Sequence, residues 1–149
     1  MRLADGRYLT GGYSTSVAAN DPVQLTYNVA CASALQGAYD FVLLSGDNGE
    51  VESLPGQKID RVSPGYYEIS DITMDYFGGL AVRYRFTDIC GTLIPDNSSV
   101  EFGTQVVVKF NEGTSIDPVT GEITFDVEYL SPSCCGLEGA KMSFKAIPR

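Results

Sequence analysis

A short acidic and aromatic segment is the part of this sequence best suited to bind a polar ligand. Asp71, Asp75, Tyr76 and Phe77 follow one another closely, at the end of a strand predicted over Tyr66–Asp71. Two carboxylates and two aromatic rings would then project from one loop at the rim of a sheet. Because carboxylates accept hydrogen bonds from hydroxyl groups and rings stack on sugar faces, the segment predicts a carbohydrate-binding patch. A Ca²⁺ patch, or a capped turn with core-anchoring aromatics, is the alternative.

A second acidic segment could hold a calcium ion. Asp47, Asn48, Glu50 and Glu52 place oxygen ligands at alternating positions, the ligand type that Ca²⁺ prefers. The segment does not follow the Asp-x-Asp-x-Asp-Gly pattern. Asn48-Gly49 also suits a tight hairpin turn, because both residues tolerate positive φ angles. Apart from this calcium site, with Asp47, Asn48 and Glu50 as its ligands, we expect no cofactor.

The four cysteines indicate the compartment rather than a metal site. Cys31, Cys90, Cys134 and Cys135 lack the paired spacing of a structural zinc site. A bond between the two adjacent cysteines would be strained, so the sequence favours disulfides that join Cys31 and Cys90 to the vicinal pair, one each. A Cys31–Cys90 bond alone, or free thiols in a reducing compartment, are the alternatives. The even count favours an oxidising compartment.

Several classes of function are disfavoured by composition. The chain has no His, which removes Ser-His-Asp and Cys-His nucleophile pairs and His-ligated zinc. Nineteen acidic against ten basic residues give a net charge of −9, which disfavours nucleic-acid binding. We therefore expect a protein that is not an enzyme. A small glycoside hydrolase is the third alternative, although the spacing of the carboxylates selects no catalytic pair.

Strand patterns dominate the chain, and helical periodicity is almost absent. The clearest alternation of apolar and polar residues falls at Val23–Val29 and Leu80–Thr87. We expect residues 1–149 to form one all-β domain of eight or nine antiparallel strands, either a sandwich or a lipocalin-like barrel. The other predicted strands are Arg7–Val17, Ala38–Ser45 with Glu50–Leu54 as its partner, Tyr66–Asp71, Val100–Phe110, Glu122–Tyr129 and Lys141–Ile147, with turns at Pro55-Gly56, Pro64-Gly65 and Pro95-Asp96-Asn97.

Three segments together resemble a known kind of domain. They are Gly65–Thr73 (GYYEISDIT), Ile116–Phe125 (IDPVTGEITF) and Cys134–Leu137 (CCGL) before a closing strand that contains Phe144. This set is similar to small secreted or surface lipoprotein β domains of Bacteroidetes-type bacteria, often encoded near glycan-uptake systems. The resemblance implies an exported β domain at the cell surface, and it supplies no catalytic residues.

Together these patterns predict a non-catalytic binding domain of a bacterial surface lipoprotein, with carbohydrate as its ligand. The alternative is a structural or adhesive module that contacts another cell-surface protein, for example through an exposed edge strand. We expect an extracellular or outer-membrane surface location, no nucleic-acid partner and no transmembrane segment. Met1–Gly6 shows no apolar signal region, so a lipid anchor would belong to a removed leader.

Overall fold

The computed structural model describes residues 34–46, 50–98, 100–101, 103–131 and 136–149. Within these ranges the regular structure consists of strands, and no helix could cross a bilayer. The strands are β1 (Gly37–Gly46), β2 (Ser53–Ser63), β3 (Tyr66–Ile69), β4 (Tyr84–Ile89), β5 (Thr92–Asp96), β6 (Val100–Glu101), β7 (Thr104–Gln105), β8 (Val107–Phe110), β9 (Ser115–Ile116), β10 (Ile123–Ser131) and β11 (Lys141–Pro148).

One antiparallel sheet contains most of the strands. Its order is β5-β4-β3-β2-β1-β11-β10-β8, and β9 also pairs with β10. Strand β5, at one end of this order, contacts β8 and β9 at the other end, so the sheet is nearly closed into a barrel. Strands β6 and β7 form a separate short hairpin. The prediction of an all-β domain, a sandwich or a barrel, is confirmed, and the sheet approaches the closed arrangement of a barrel.

The barrel interior is filled by alternate residues of the strands. In β10, burial alternates along the strand, so that Phe125 and Tyr129 point inward while Asp126 and Glu128 lie on the other face. Phenylalanine rings from opposite walls meet in the centre: Phe125 of β10 lies 5.6 Å from Phe86 of β4, measured between ring centroids. Such ring pairs add about 0.5–1.5 kcal/mol each beyond the burial of their area.

A side chain links the two ends of the sheet where regular strand pairing stops. Asn97 follows β5, and its Oδ1 accepts hydrogen bonds from the Tyr84 hydroxyl at 2.6 Å and from the Val108 backbone N–H at 2.8 Å. Gln105 donates to the Asn97 carbonyl oxygen at 2.6 Å. The side chain of Asn97 thus gives the β8 backbone a partner that a neighbouring strand would otherwise provide.

The turn predicted at Pro55-Gly56 is not formed, because both residues lie inside β2. Gly56 has a φ of +72°, and the pairing register between β1 and β2 shifts at this point, which marks a bulge. The Gly56 N–H donates to Asp40 Oδ1 at 3.0 Å, and Arg149 Nε lies 2.8 Å from the same oxygen. Strand β2 therefore continues through Pro55-Gly56, a pair of residues that usually ends a strand.

Other boundaries differ for local reasons. Strand β5 is absent from the prediction because Pro95 reads as a turn, yet proline is tolerated in a strand that pairs on one side. The strand predicted over Val100–Phe110 forms three short strands, β6, β7 and β8, and Gly103, with φ +77°, lies in the turn between the first two. The pairing predicted from Leu80 begins only at Tyr84. The strands predicted over Arg7–Val17 and Val23–Val29 lie outside the described residues.

The bridge made by Asn97 predicts a loss of stability when its side chain is removed. We expect Asn97→Ala to lower the free energy of unfolding by about 1–3 kcal/mol, since a part-buried N–H and hydroxyl lose their acceptor. Urea denaturation measures the change. Val119→Ala, at a side chain that is 90% exposed, is the control and should change stability by less than about 0.5 kcal/mol. Equal stability of the Asn97 variant and the parent would contradict the bridging role.

Candidate functional site

The predicted ligand-binding segment forms a loop at one end of the barrel, between β3 and β4. We call residues 70–83 the rim loop. Its base is closed by the Ile72 N–H, which donates to the Val82 carbonyl at 2.9 Å. On one side it is joined to the segment after β1, because the Val51 N–H donates to the Met74 carbonyl at 3.1 Å. These bonds fix the rim loop to the end of the barrel.

Asp71 organises the rim loop from inside. Its side chain is buried and accepts four hydrogen bonds, from the Thr73 N–H and hydroxyl at 2.9 and 2.8 Å, the Asp75 N–H at 2.8 Å and the Val82 N–H at 3.2 Å. Both carboxylate oxygens are therefore occupied by the protein's own donors. Asp71 therefore anchors the loop with oxygens that face the loop backbone, and its predicted role in ligand binding stays a prediction.

The backbone beyond Asp71 adopts an uncommon conformation. Met74 and Asp75 have φ angles of +51° and +58°, in the left-handed region. Asp enters this region several times more often than most residues, but Met does so rarely. The Met74 side chain is fully buried in the core, which offsets the cost of its backbone. Strained residues of this kind cluster at functional sites, and they persist only where the surrounding structure holds them in place.

The tip of the rim loop presents the two predicted aromatic rings. Tyr76 and Phe77 are half-buried, with ring centroids 4.9 Å apart and ring planes at 84°. Asp75 Oδ1 accepts a hydrogen bond from the Gly79 N–H, which closes the tip. Leu80 follows and is 55% exposed. The structure thus brings Asp75, Tyr76 and Phe77 together at the rim, as the sequence predicts, and adds Leu80 to them.

The predicted calcium site can be placed only in part. Asp47 and Asn48 lie outside the described residues, and Glu50 is half-buried beside β1. A β-carbon at Gly46 would lie 2.7 Å from Glu50 Oε2, so the Glu50 carboxylate occupies the space above the end of β1. Within the part of the chain that the structure describes, no group of three acidic, Cys or His side chains is arranged to hold a metal. The calcium site therefore stays a prediction.

Of the predicted disulfide residues, the structure describes Cys90. It lies in the tight turn between β4 and β5, with φ +56°, and it is disulfide-bonded. Cys31, Cys134 and Cys135 lie outside the described residues. Strand β4 begins at Tyr84 and ends just before this turn. The disulfide therefore holds the turn at the end of the barrel where β4 ends.

A second polar cluster, absent from the prediction, lies on the outer wall of β3, β4 and β5. Arg85 Nε is 2.7 Å from Glu68 Oε2, and the Tyr66 hydroxyl donates to Asp96 Oδ2. This hydrogen bond lowers the pKa of Asp96, and it also raises the pKa of Tyr66. Strand register explains the cluster, since Glu68 pairs with Arg85 and Arg85 with Asp96. Register between strands cannot be read from one strand's alternation.

No family model matches the chain, and no curated protein matches it.

Because Asp71 accepts four hydrogen bonds, we expect a large loss of stability when an amide nitrogen replaces one of its carboxylate oxygens. Asn in place of Asp71 keeps one acceptor oxygen and turns an N–H₂ group toward backbone donors. We expect Asp71→Asn to lower the free energy of unfolding by about 2–4 kcal/mol, measured by urea denaturation. Asp75→Asn is the matched control, because Asn also adopts the left-handed conformation and keeps its acceptor, and it should cost less than about 0.5 kcal/mol. Equal effects of the two variants would contradict the anchoring role of Asp71.

Because the hydrogen bond from Tyr66 lowers the pKa of Asp96, we expect the protein to lose stability in acid. Because the folded-state pKa of Asp96 lies below its ordinary value of about 3.9, its contribution is present above that pH and is lost as the pH falls through the folded-state pKa. We expect Tyr66→Phe to make the fall in urea midpoint between about pH 4 and pH 2 shallower. Asp60→Asn, an exposed carboxylate opposite Glu68, is the control. A Tyr66→Phe profile parallel to that of the parent would refute this.

Proposed function

We propose that this protein is a non-catalytic binding module whose rim loop holds a carbohydrate. The observation that carries the proposal is the aromatic pair Tyr76 and Phe77, fixed at 84° beside Asp75 on a loop anchored by the buried Asp71. The rings are half-buried: their inner atoms pack against the core while the rest faces solvent. This is the arrangement that a ring needs to stack on a ligand without losing its own position.

Sugar chemistry fits the groups at the tip. The C–H faces of a pyranose ring are apolar and stack on aromatic rings, while its hydroxyl groups donate to carboxylate oxygens. Gly78 and Gly79 have no atom within 4 Å of the position that a β-carbon would take, so a ligand can approach the backbone there. Rings from opposite walls fill the centre of the barrel, which favours a site on the rim over one inside it.

An extracellular or outer-membrane surface location goes with this function. A disulfide at Cys90 supports an oxidising compartment, where such bonds persist. The strongly acidic composition suits a protein exposed to solvent. In this proposal the protein is a surface lipoprotein domain that captures a glycan for other proteins to process, and its carboxylates bind rather than cleave.

Binding to a glycan array, with Ca²⁺ and again with EDTA, tests the proposal. We expect saturable binding to one glycan class, weakened at least about 10-fold by Phe77→Ala and by a smaller factor by Asp75→Asn. Val119→Ala, far from the rim loop in the turn before β10, should bind like the parent. Thermal unfolding of each variant shows whether the fold is intact.

A folded protein that binds no glycan would overturn the proposal, and so would binding that the Phe77 variant retains in full. Cleavage of the bound glycan, followed by chromatography of the products, would replace the binding module with the hydrolase alternative. Loss of binding in EDTA would place a metal in the site.

A further inference from the structure

The disulfide of Cys90 joins it to another cysteine of this chain. Cys90 is the one cysteine among the described residues, and it is disulfide-bonded. Its partner is therefore Cys31, Cys134 or Cys135, which all lie outside those residues. A disulfide brings the two Cα atoms within about 7 Å of each other, so the position of Cys90 limits which of the three can reach it.

Cys90 lies at the end of the barrel opposite the rim loop. Strand β4 leaves the rim loop at Tyr84 and ends at Ile89, one residue before Cys90. Because a strand advances about 3.3 Å per residue, the six positions from Tyr84 to Cys90 correspond to roughly 20 Å. The rim loop and the Cys90 turn are thus separated by the length of β4.

The vicinal cysteines are tied by the chain to the rim-loop end. A β-carbon at Gly136 would lie 3.3 Å from the hydroxyl of Tyr76 in the rim loop. Consecutive Cα atoms are about 3.8 Å apart, so Cys135 lies about 4 Å and Cys134 at most about 8 Å from Gly136. With the span of a disulfide added, the reach is roughly 15 Å, which is less than the roughly 20 Å between the rim loop and the Cys90 turn.

The described chain begins at the end of the barrel where Cys90 lies. In the pairing of β1 with β11, Gly46 at the end of β1 lies opposite Met142, near the start of β11. Residues 136–140 precede β11, and the first of them lies beside Tyr76 of the rim loop. Strand β1 therefore ends near the rim loop, and the residues before β1 lie at the other end of the barrel.

Leu35 lies inside that end of the barrel. It is 5% exposed, and its carbonyl accepts a hydrogen bond from the Tyr39 hydroxyl at 2.7 Å. Burial raises the pKa of Tyr39, and the nearby phenol of Tyr67 on β3 raises it further, so Leu35 lies toward β3 and its neighbour β4. Cys31 is four residues before Leu35, and four residues span up to about 14 Å, so Cys31 can reach the Cys90 turn at the end of β4.

We propose that Cys31 is the disulfide partner of Cys90 and fastens the chain before β1 across the end of the barrel opposite the rim loop. Of the pairings that the sequence leaves open, this selects the Cys31–Cys90 bond over bonds to the vicinal pair. The bond forms when the two thiols lose two protons and two electrons to an external disulfide, which is reduced to two thiols. This pairing does not depend on carbohydrate binding at the rim loop.

The Cys31–Cys90 bond has two consequences for the barrel. It closes a loop of roughly 60 residues that contains β1 to β4 and the rim loop, which stabilises the fold by restricting the unfolded chain. It also makes the chain before Cys31 leave the barrel at the end away from Tyr76 and Phe77. A neighbouring domain or an anchor joined before Cys31 would then leave the rim loop accessible to a ligand.

Peptide mapping without reduction tests the pairing. Free thiols are blocked with a maleimide, and trypsin then cuts after Lys and Arg. The cysteines fall in three different peptides: residues 8–58 contain Cys31, residues 86–109 contain Cys90, and residues 110–141 contain the vicinal pair. We expect mass spectrometry to find peptides 8–58 and 86–109 joined, and separated by reductant. A bond between peptides 86–109 and 110–141, or a covalent dimer through Cys90, would overturn the proposal.

Variants give a second readout on the folded protein. Cys31→Ser and Cys90→Ser should lower the thermal midpoint equally, by about 5–15 °C, and the double variant should lower it no further, because all three remove the same bond. Cys134→Ser is the matched control and should retain the bond between peptides 8–58 and 86–109. Additive losses in the double variant, or loss of that bond in the Cys134 variant, would also overturn the pairing.

Discussion

The conformation of the rim loop follows from the need to satisfy one buried carboxylate. A carboxylate taken out of water loses several kcal/mol of hydration unless protein donors replace the water. Asp71 recovers this through four donors that come from both sides of the loop, Thr73 and Asp75 on one side and Val82 on the other. Three of these four donors are backbone N–H groups, so the hydrogen bonds restrict the backbone conformation of the residues between them.

The same constraint connects the rim to the core. The Tyr129 hydroxyl, on β10, donates to the Ile72 carbonyl at 2.7 Å, so the residue after Asp71 is held by the opposite wall. Burial raises the pKa of Tyr129 well above its usual value, and the charges of Asp71 and Glu50 raise it further. The phenol therefore stays a hydrogen-bond donor at every physiological pH. Tyr129 of β10 is thus influenced by the charge of Asp71 in the rim loop and by the charge of Glu50, the residue that precedes Val51.

Sequence alone could predict several of the strands, because the pattern of apolar residues is a property of each strand by itself. Ala38–Ser45, Glu122–Tyr129 and Lys141–Ile147 all correspond to strands of the barrel. It predicted one pairing, that of Ala38–Ser45 with the segment that ends at Leu54, which the structure shows as β1 and the start of β2. It did not predict how the other strands pair, and the errors follow from this. Pro55-Gly56 reads as a turn until Asp40 on the neighbouring strand provides the acceptor for a bulge, and Pro95 reads as a turn until β5 pairs on one side.

The candidate site shows the same division. The sequence places Asp71, Asp75, Tyr76 and Phe77 in one loop, and the structure agrees on the loop. The two carboxylates differ in their contacts, however. Asp71 accepts a hydrogen bond from the Val82 N–H, eleven positions further along the chain, and Asp75 does not. Two acidic residues in similar sequence surroundings thus have different roles. The deciding fact is a contact between distant parts of the chain, which residue types and local spacing do not contain.

The strain in the rim loop is best understood through what a rigid loop does for binding. Left-handed Met74 costs of order 1–3 kcal/mol, and the fold tolerates it because Met74 is buried and Asp71 holds the residues on either side. The result is that Tyr76 and Phe77 are positioned before any ligand arrives. A ligand that meets ordered rings need not provide the roughly 0.5–1.5 kcal/mol that ordering each mobile side chain would cost. In the proposed binding role, the buried carboxylate of Asp71 and the strained residue Met74 hold the two rings in place for the ligand.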